Sequence, residues 1–150
     1  MADHADVYVD ANILIYIVEG NKALASELKQ IVEALEAGVF KAVTSELTLA
    51  EVLIGPLRNN DHELAATYKS LLTSSHVLRA VPVSAAILER SAAIRCNSMT
   101  SLPDAIHLAT AEWAGCKYVL TEDRQLRVQP PLIAVGVADL NAVLNDWHQS

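Results

Sequence analysis

Short apolar, β-rich runs alternate with longer helical stretches along this chain, and that alternation is the strongest constraint on its fold. Val7 to Val9 is predicted to be a buried strand, and a helix is predicted from about Asn12. Lys41 to Thr44 is predicted to be the next strand, again followed by a helix. Because parallel neighbouring strands need a crossover connection, usually a helix, this order predicts an α/β fold. We therefore expect a three-layer sandwich with a mainly parallel central β-sheet flanked by helices.

Local signals predict the remaining elements. Leucines and isoleucines recur at helical spacing over 24–35, and the next helix is expected to start at Thr44 or Ser45 and to end at Gly55-Pro56. Pro82 suggests that the strand containing it lies at an edge or ends there. The other predicted elements are helices from about His62 to Leu72, Ser84 to about Cys96, Pro103 to about Ala114 and Ala138 to Asn145, and strands at Val77–Val83, Tyr118–Leu120 and Leu132–Val137.

Composition limits the size and the cellular location of the protein. The 150 residues are 52% hydrophobic, which is enough for one domain over 1–150 and leaves little room for another. The formal net charge of -7 argues against a broad surface that tracks phosphates, but it is compatible with an acidic metal site. The amino terminus is acidic rather than a signal peptide, and the run Ile13 to Val18 is too short to span a membrane. A soluble, cytoplasmic protein is expected.

Four acids are candidates for a common site at the carboxyl edge of the sheet: Asp10, Glu51, Asp104 and Asp123. Ligands of open parallel sheets bind beyond the carboxyl ends of the strands, where Asp10 and Asp123 are predicted to lie. Each acid also has an ordinary structural interpretation. Asp10 and Asp123 could form local turns or caps, Glu51 could be a solvated helix position, and Asp104 could belong to a capping box with Ser101.

Clustered carboxylates would favour a hard divalent cation such as Mg²⁺ or Mn²⁺, which prefers oxygen ligands. Two carboxylates at ~4 Å repel each other by roughly 4 kcal/mol at an effective dielectric of about 20, so a cluster needs protons or cations. Without metal, some of the pKa values should be raised. Nothing in the sequence suggests a zinc site, since it has neither an HxxxH motif nor a cysteine cluster.

Four segments that contain these acids occur in order: VDANILIY, TSELTLAEVL, LPDAIHLATA and VLTEDRQL. Together they resemble the PIN-domain family, and particularly the toxins of bacterial VapBC toxin–antitoxin pairs, over Val9 to about Leu126. The resemblance implies a PIN-like fold and an endoribonuclease that leaves a 5′-phosphate and a 3′-hydroxyl. It assigns Asp10, Glu51, Asp104 and Asp123 as catalytic residues and metal ligands. Asn12 and Thr121 would then be hydrogen-bonding groups that support the ligands.

Several neighbouring residues have less certain roles. Glu122 stands where the family often has Asn, and we expect it to face solvent rather than to join the metal site. His107, three residues after Asp104, is expected to be a packed or surface histidine. Arg58 and Arg124 are the basic residues best placed to meet RNA phosphates, although each could be an ordinary surface arginine.

Other functions remain open at this point. One alternative is a different phosphoryl-transfer hydrolase, but Asp10-Ala11-Asn12 lacks the DxD of haloacid-dehalogenase phosphatases, and the response-regulator pattern is also missing. Another is a non-catalytic PIN-like scaffold or RNA-binding domain, which the complete set of acids disfavours. The resemblance implies an inhibitory antitoxin partner. A homodimer is also expected, through apolar helix surfaces with Leu47, Leu49 and Ile54 and with Ile87, Leu88 and Ile94.

Overall fold

A five-stranded parallel sheet forms the centre of the protein. The computed structural model describes residues 6–148, so the acidic amino terminus at 1–5 lies outside the described residues. The strands are β1 (Val7–Val9), β2 (Ala42–Ser45), β3 (Leu78–Val81), β4 (Tyr118–Leu120) and β5 (Ile133–Val135). Their order across the sheet is β3-β2-β1-β4-β5, and all the pairings are parallel. The predicted parallel sheet is confirmed, and β3, which Pro82 follows, is an edge strand.

Seven helices connect and cover the strands. They are α1 (Ala11–Glu19), α2 (Ala25–Glu36), α3 (Leu47–Arg58), α4 (His62–Ser74), α5 (Ala85–Cys96), α6 (Leu102–Trp113) and α7 (Val137–His148). The hydroxyl of Ser84 accepts a hydrogen bond from the Ile87 amide and begins α5, as the sequence predicted. Ser101 begins α6 in the same way, with Pro103 in the first turn and a left-handed Gly115 shortly after the helix.

The two faces of the sheet bury separate hydrophobic cores, which makes the fold a three-layer sandwich. Val7 and Val9 pack against helices α1, α2, α3, α4 and α7. Tyr8, which alternates with them, points to the opposite face and packs with residues of α5 and α6. Because β1 is buried on both faces, it has no charged residue, and the first one follows at Asp10, where the strand leaves the core.

Two sequence-based expectations need correction. Helix α3 does not end at Gly55-Pro56 but continues to Arg58. Pro56 is in the last turn, so the helix loses only one late hydrogen bond, and the ring is buried. The predicted apolar helix surfaces are also partly wrong. Ile87 of α5 is only 1% exposed and belongs to the core, whereas Leu88 of α5 and Ile54 of α3 are exposed.

Over the part of the chain that the structure describes, no helix is both long enough and apolar enough to cross a membrane.

Candidate active site

The carboxyl ends of β1 and β4 place the first and last of the candidate acids side by side. Val9 pairs with Leu120 in the register of these strands, and Asp10 follows Val9 directly. Thr121 follows Leu120, with Asp123 two residues later. Since β2 lies on one side of β1 and β4 on the other, the chain crosses over in opposite directions here. Open α/β sheets bind their ligands at such a point.

Asp10 carries a charge that the fold does not fully compensate. Burial raises the pKa of its carboxyl, and the negative charge of Asp123 acts in the same direction. Hydrogen bonds from Thr121 and from the Ile13 amide, together with attraction to His107, oppose the rise in this pKa without cancelling it. The Ile13 amide lies 3.0 Å from Oδ1, so Asp10 is also the N-cap of α1. The structural interpretation of Asp10 as a cap is therefore correct, and its role as a metal ligand stays a prediction.

Thr121 connects the two acids. Its side chain is buried, and its hydroxyl oxygen accepts a hydrogen bond of 3.0 Å from the Asp123 amide. The same hydroxyl donates to the carboxylate of Asp10. Asp123 is exposed, and its Oδ1 accepts from the Gln125 amide at 2.9 Å, which forms the local turn that the sequence allowed. Thr121 therefore interacts with both acids, and its role in supporting a metal ligand stays a prediction.

Glu51 is held by His107, which the sequence analysis expected to be a packed or surface histidine. His107 Nε2 lies 2.6 Å from Glu51 Oε1, and His107 Nδ1 lies 2.5 Å from the hydroxyl of Tyr8. His107 is indeed packed, at 6% exposure, but both of its ring nitrogens are bonded. One signal was present in the sequence: His107 is a polar residue within the otherwise apolar run AIHLA of α6, and a buried polar group requires partners.

Asp104 and Asn12 are less closely tied to the other groups. Asp104 lies in the first turn of α6, and its amide donates to the Ser101 hydroxyl at 3.3 Å, which is one half of a capping box. Asn12 is exposed in the first turn of α1. Within 6–148, no three acidic, histidine or cysteine side chains are already arranged as a metal site. The oxygen donors and the uncompensated Asp10 suit a hard cation, but the ligands would have to close around it.

Glu122 is bonded to the start of α7. Its Oε2 accepts a hydrogen bond of 2.9 Å from the Val137 amide at the first residue of α7. Glu122 is exposed, as expected, but it also satisfies the amino terminus of that helix. A Cβ at Gly136 would lie 2.8 Å from this oxygen, so the contact requires glycine there. Arg58, in the last turn of α3, and Arg124, beside Asp123, are exposed.

A comparison with family models adds an independent finding. The model described as "PIN domain" matches residues 7–130, which is most of the chain and includes all four acids. The chain belongs to the PIN domain family. The resemblance of the four sequence segments is thereby confirmed, and so is the expected fold.

Solved structures agree with this family. A chain of a toxin–antitoxin complex from Klebsiella pneumoniae is 28% identical, with a TM-score of 0.63, and the match covers 88% of this chain and 98% of that one. VapBC2 from Rickettsia felis, bound to a promoter DNA fragment, has a TM-score of 0.67 at 18% identity, over 87% and 97% of the two chains. VapC20 from Mycobacterium tuberculosis, a sarcin–ricin loop cleaving toxin, has a TM-score of 0.61 at 19% identity, and the match covers 81% of this chain and 92% of that one. The search of curated proteins gives no match.

Proposed function

We propose that this PIN-domain protein is a divalent-metal-dependent endoribonuclease that cleaves RNA phosphodiesters. The observation that carries the proposal is the pairing of β1 with β4, which brings the partly buried, uncompensated Asp10 beside Thr121 and Asp123. An acid that the fold leaves in this state is stabilised when a cation binds. The family match and the similarity to a toxin–antitoxin complex support the nuclease assignment.

The four acids divide the tasks of holding the cation and orienting water in this proposal. Asp10, Asp104 and Asp123 hold Mg²⁺ or Mn²⁺, and Glu51 either completes the ligand set or orients the attacking water. A bound divalent cation supplies a more acidic water and offsets the charge of the scissile phosphate. Thr121 fixes the direction of the Asp10 carboxylate through its hydrogen bond. Asn12, exposed in the first turn of α1, supports the ligands from the solvent side.

The carboxyl edge of the sheet, which carries Asp10 and Asp123, is the acidic edge of the protein. Basic side chains must complement RNA around it. Arg124 follows Asp123 directly, and Arg58 ends α3, the helix that carries Glu51. Both are exposed, so they can reach phosphates without losing another partner. The net charge of -7 confines productive RNA contact to such local positions.

We also propose that the protein is the toxin of a toxin–antitoxin pair and that it forms a homodimer. Ile54, Leu57 and Leu88 are between 47% and 58% exposed on helices α3 and α5, and a symmetric contact would cover them. An inhibitory antitoxin would present Arg or Lys to the acids and compete with the cation.

The first experiment tests metal-dependent RNA cleavage. Protein purified without any antitoxin is incubated with single-stranded RNA, and product ends are mapped. We expect cleavage to stop in EDTA and to return with Mn²⁺. Cleavage that persists in EDTA would exclude the proposed mechanism.

The second experiment tests the acids. Asp10→Asn, Glu51→Gln, Asp104→Asn and Asp123→Asn should each reduce cleavage without unfolding the chain. Asp61→Asn is the matched control, because Asp61 caps α4 as Asp10 caps α1 and asparagine caps equally well. If the Asp10 and Asp61 variants have equal activity, Asp10 is only a cap.

The third experiment tests assembly and toxicity. Light scattering should report a dimer at tens of micromolar, and a monomer there would refute the homodimer. Expression of the chain alone should arrest growth, and co-expression of the product of an adjacent antitoxin gene should restore it. A chain that is harmless in its host but active on RNA would lose the toxin assignment and keep the nuclease one.

A further inference from the structure

We propose that His107 is a positioning residue, which holds the Glu51 carboxylate in place at the acidic edge through the hydrogen-bonded chain Tyr8–His107–Glu51. This inference rests on the proposed function, because it gives Glu51 a task that depends on its orientation. His107 does not act on RNA or on the cation in this scheme. It acts only through Glu51.

The core holds the His107 ring in place, and the ring in turn positions Glu51. His107 lies in the middle of α6, where residues 105 to 111 are all buried, so its ring has little freedom to move. The Tyr8 hydroxyl, on the fully buried central strand β1, lies 2.5 Å from Nδ1. The other nitrogen, Nε2, lies 2.6 Å from Glu51 Oε1. A rigid core group therefore determines the position of a carboxylate on another helix.

The hydrogen bonds run in one direction. An ionised carboxylate only accepts, so the proton must lie on Nε2 of His107 and point toward Glu51. In the neutral ring Nδ1 is then an acceptor, and the Tyr8 hydroxyl donates to it. Both hydrogen bonds thus favour the same tautomer, which is how the partner of a functional histidine usually selects one nitrogen.

The arrangement uses only one of the two Glu51 oxygens. Oε1 accepts from His107, and no donor from within 6–148 is bonded to Oε2. The Glu51 side chain is 33% exposed, so the carboxylate bonds to the buried His107 and still contacts solvent. Without His107, the partly exposed Glu51 side chain would lose its fixed direction, since a glutamate samples several rotamers.

The first test measures the tautomer directly in metal-free protein. Long-range proton–nitrogen spectra of the histidine rings, assigned by comparison with His107→Gln, should show Nε2 protonated and Nδ1 unprotonated. Tyr8→Phe removes the donor to Nδ1 and should mix the tautomers. A ring protonated on Nδ1 alone would overturn the proposed direction of the hydrogen bonds.

The second test separates positioning from packing. Mn²⁺ affinity is measured by calorimetry for His107→Leu and His107→Gln, each alone and combined with Glu51→Ala. We expect His107→Leu to weaken Mn²⁺ binding by roughly 10-fold, within the range seen when groups that orient metal ligands are removed. His107→Gln, whose amide can still donate to Glu51, should lose much less, and it serves as the working variant if the leucine variant does not fold.

In the Glu51→Ala background neither His107 variant should weaken binding further, because His107 acts only through Glu51. Equal weakening in both backgrounds would overturn the positioning role and leave the nuclease assignment intact. If the variants show this coupling in Mn²⁺ binding but the wild-type chain cleaves no RNA, the proposed function is overturned and the positioning role is supported.

Discussion

Replacing Thr121 with valine should destabilise the metal-free protein more than the change in shape suggests. Valine has nearly the same shape as threonine but lacks the hydroxyl. The buried Thr121 hydroxyl makes two hydrogen bonds, one from the Asp123 amide and one to the Asp10 carboxylate. A bond to an amide contributes about 1 kcal/mol and a bond to a charged group about 1.5 to 3 kcal/mol. We therefore expect a loss of about 2 to 4 kcal/mol in the free energy of unfolding.

The loss should also depend on pH in a defined direction. The Thr121 hydrogen bond lowers the pKa of Asp10, so its removal raises that pKa further above the ordinary value. Wild type is therefore favoured over the variant most strongly when Asp10 is ionised. The difference in the free energy of unfolding between wild type and variant should be largest above the raised pKa of Asp10. It should shrink as the pH falls through that pKa, when Asp10 becomes protonated in both proteins.

Urea unfolding in EDTA, followed by circular dichroism at about pH 8 and at a series of lower pH values through the titration of Asp10, measures both effects. Thr121→Ser is the matched control, because it keeps the hydroxyl and loses one methyl group, worth about 1 kcal/mol. If the valine and serine variants lose the same free energy, the hydroxyl is not the source of the stabilisation. If the valine variant loses the same free energy at every pH of this series, Thr121 does not act on the ionised Asp10.

Three further outcomes follow from the same edge of the sheet. Asp10→Asn should raise the free energy of unfolding in EDTA, because burial disfavours the ionised carboxyl, and the gain should be larger above the raised pKa than near the ordinary one. Glu122→Ala should lower stability by about 1 kcal/mol through the start of α7 and leave RNA cleavage unchanged, whereas Asp123→Asn should reduce cleavage. Gly136→Ala should destabilise wild type, because its Cβ displaces Glu122, and should be neutral or stabilising, by up to about 1 kcal/mol, when Glu122 is alanine.

Local patterns predicted those parts of the fold that local interactions determine. Strands β1 and β4 have the predicted bounds, and Ser84 caps α5 as predicted. Ser101 caps α6, which was one of the interpretations that the sequence left open. The continuation of α3 past Pro56 could not be read locally, because proline usually ends a helix. Burial of the ring, which depends on tertiary packing, offsets that preference.

The site was predictable only where the strand ends define it. Asp10 and Asp123 lie at the expected edge, because parallel strands end there together. The pairing of His107 with Glu51 joins α6 to α3 across 56 residues, and the bond from Glu122 to the start of α7 spans 15. No sequence period connects such positions, so these contacts follow only from how the helices pack around the sheet.

The central place of β1 determines when the acidic edge can exist during synthesis. β1 pairs with β4, yet most of the chain separates these two strands. A ribosome that has finished α5 has delivered Asp10 and Glu51 but neither Asp104 nor Asp123. Pairing between such distant segments is the slow step in folding sheets of this kind, and the nascent chain cannot make it before α6 and β4 have emerged. The proposed nuclease activity therefore requires a nearly complete chain, and we expect a product truncated before β4 to be inert, because it lacks Asp123.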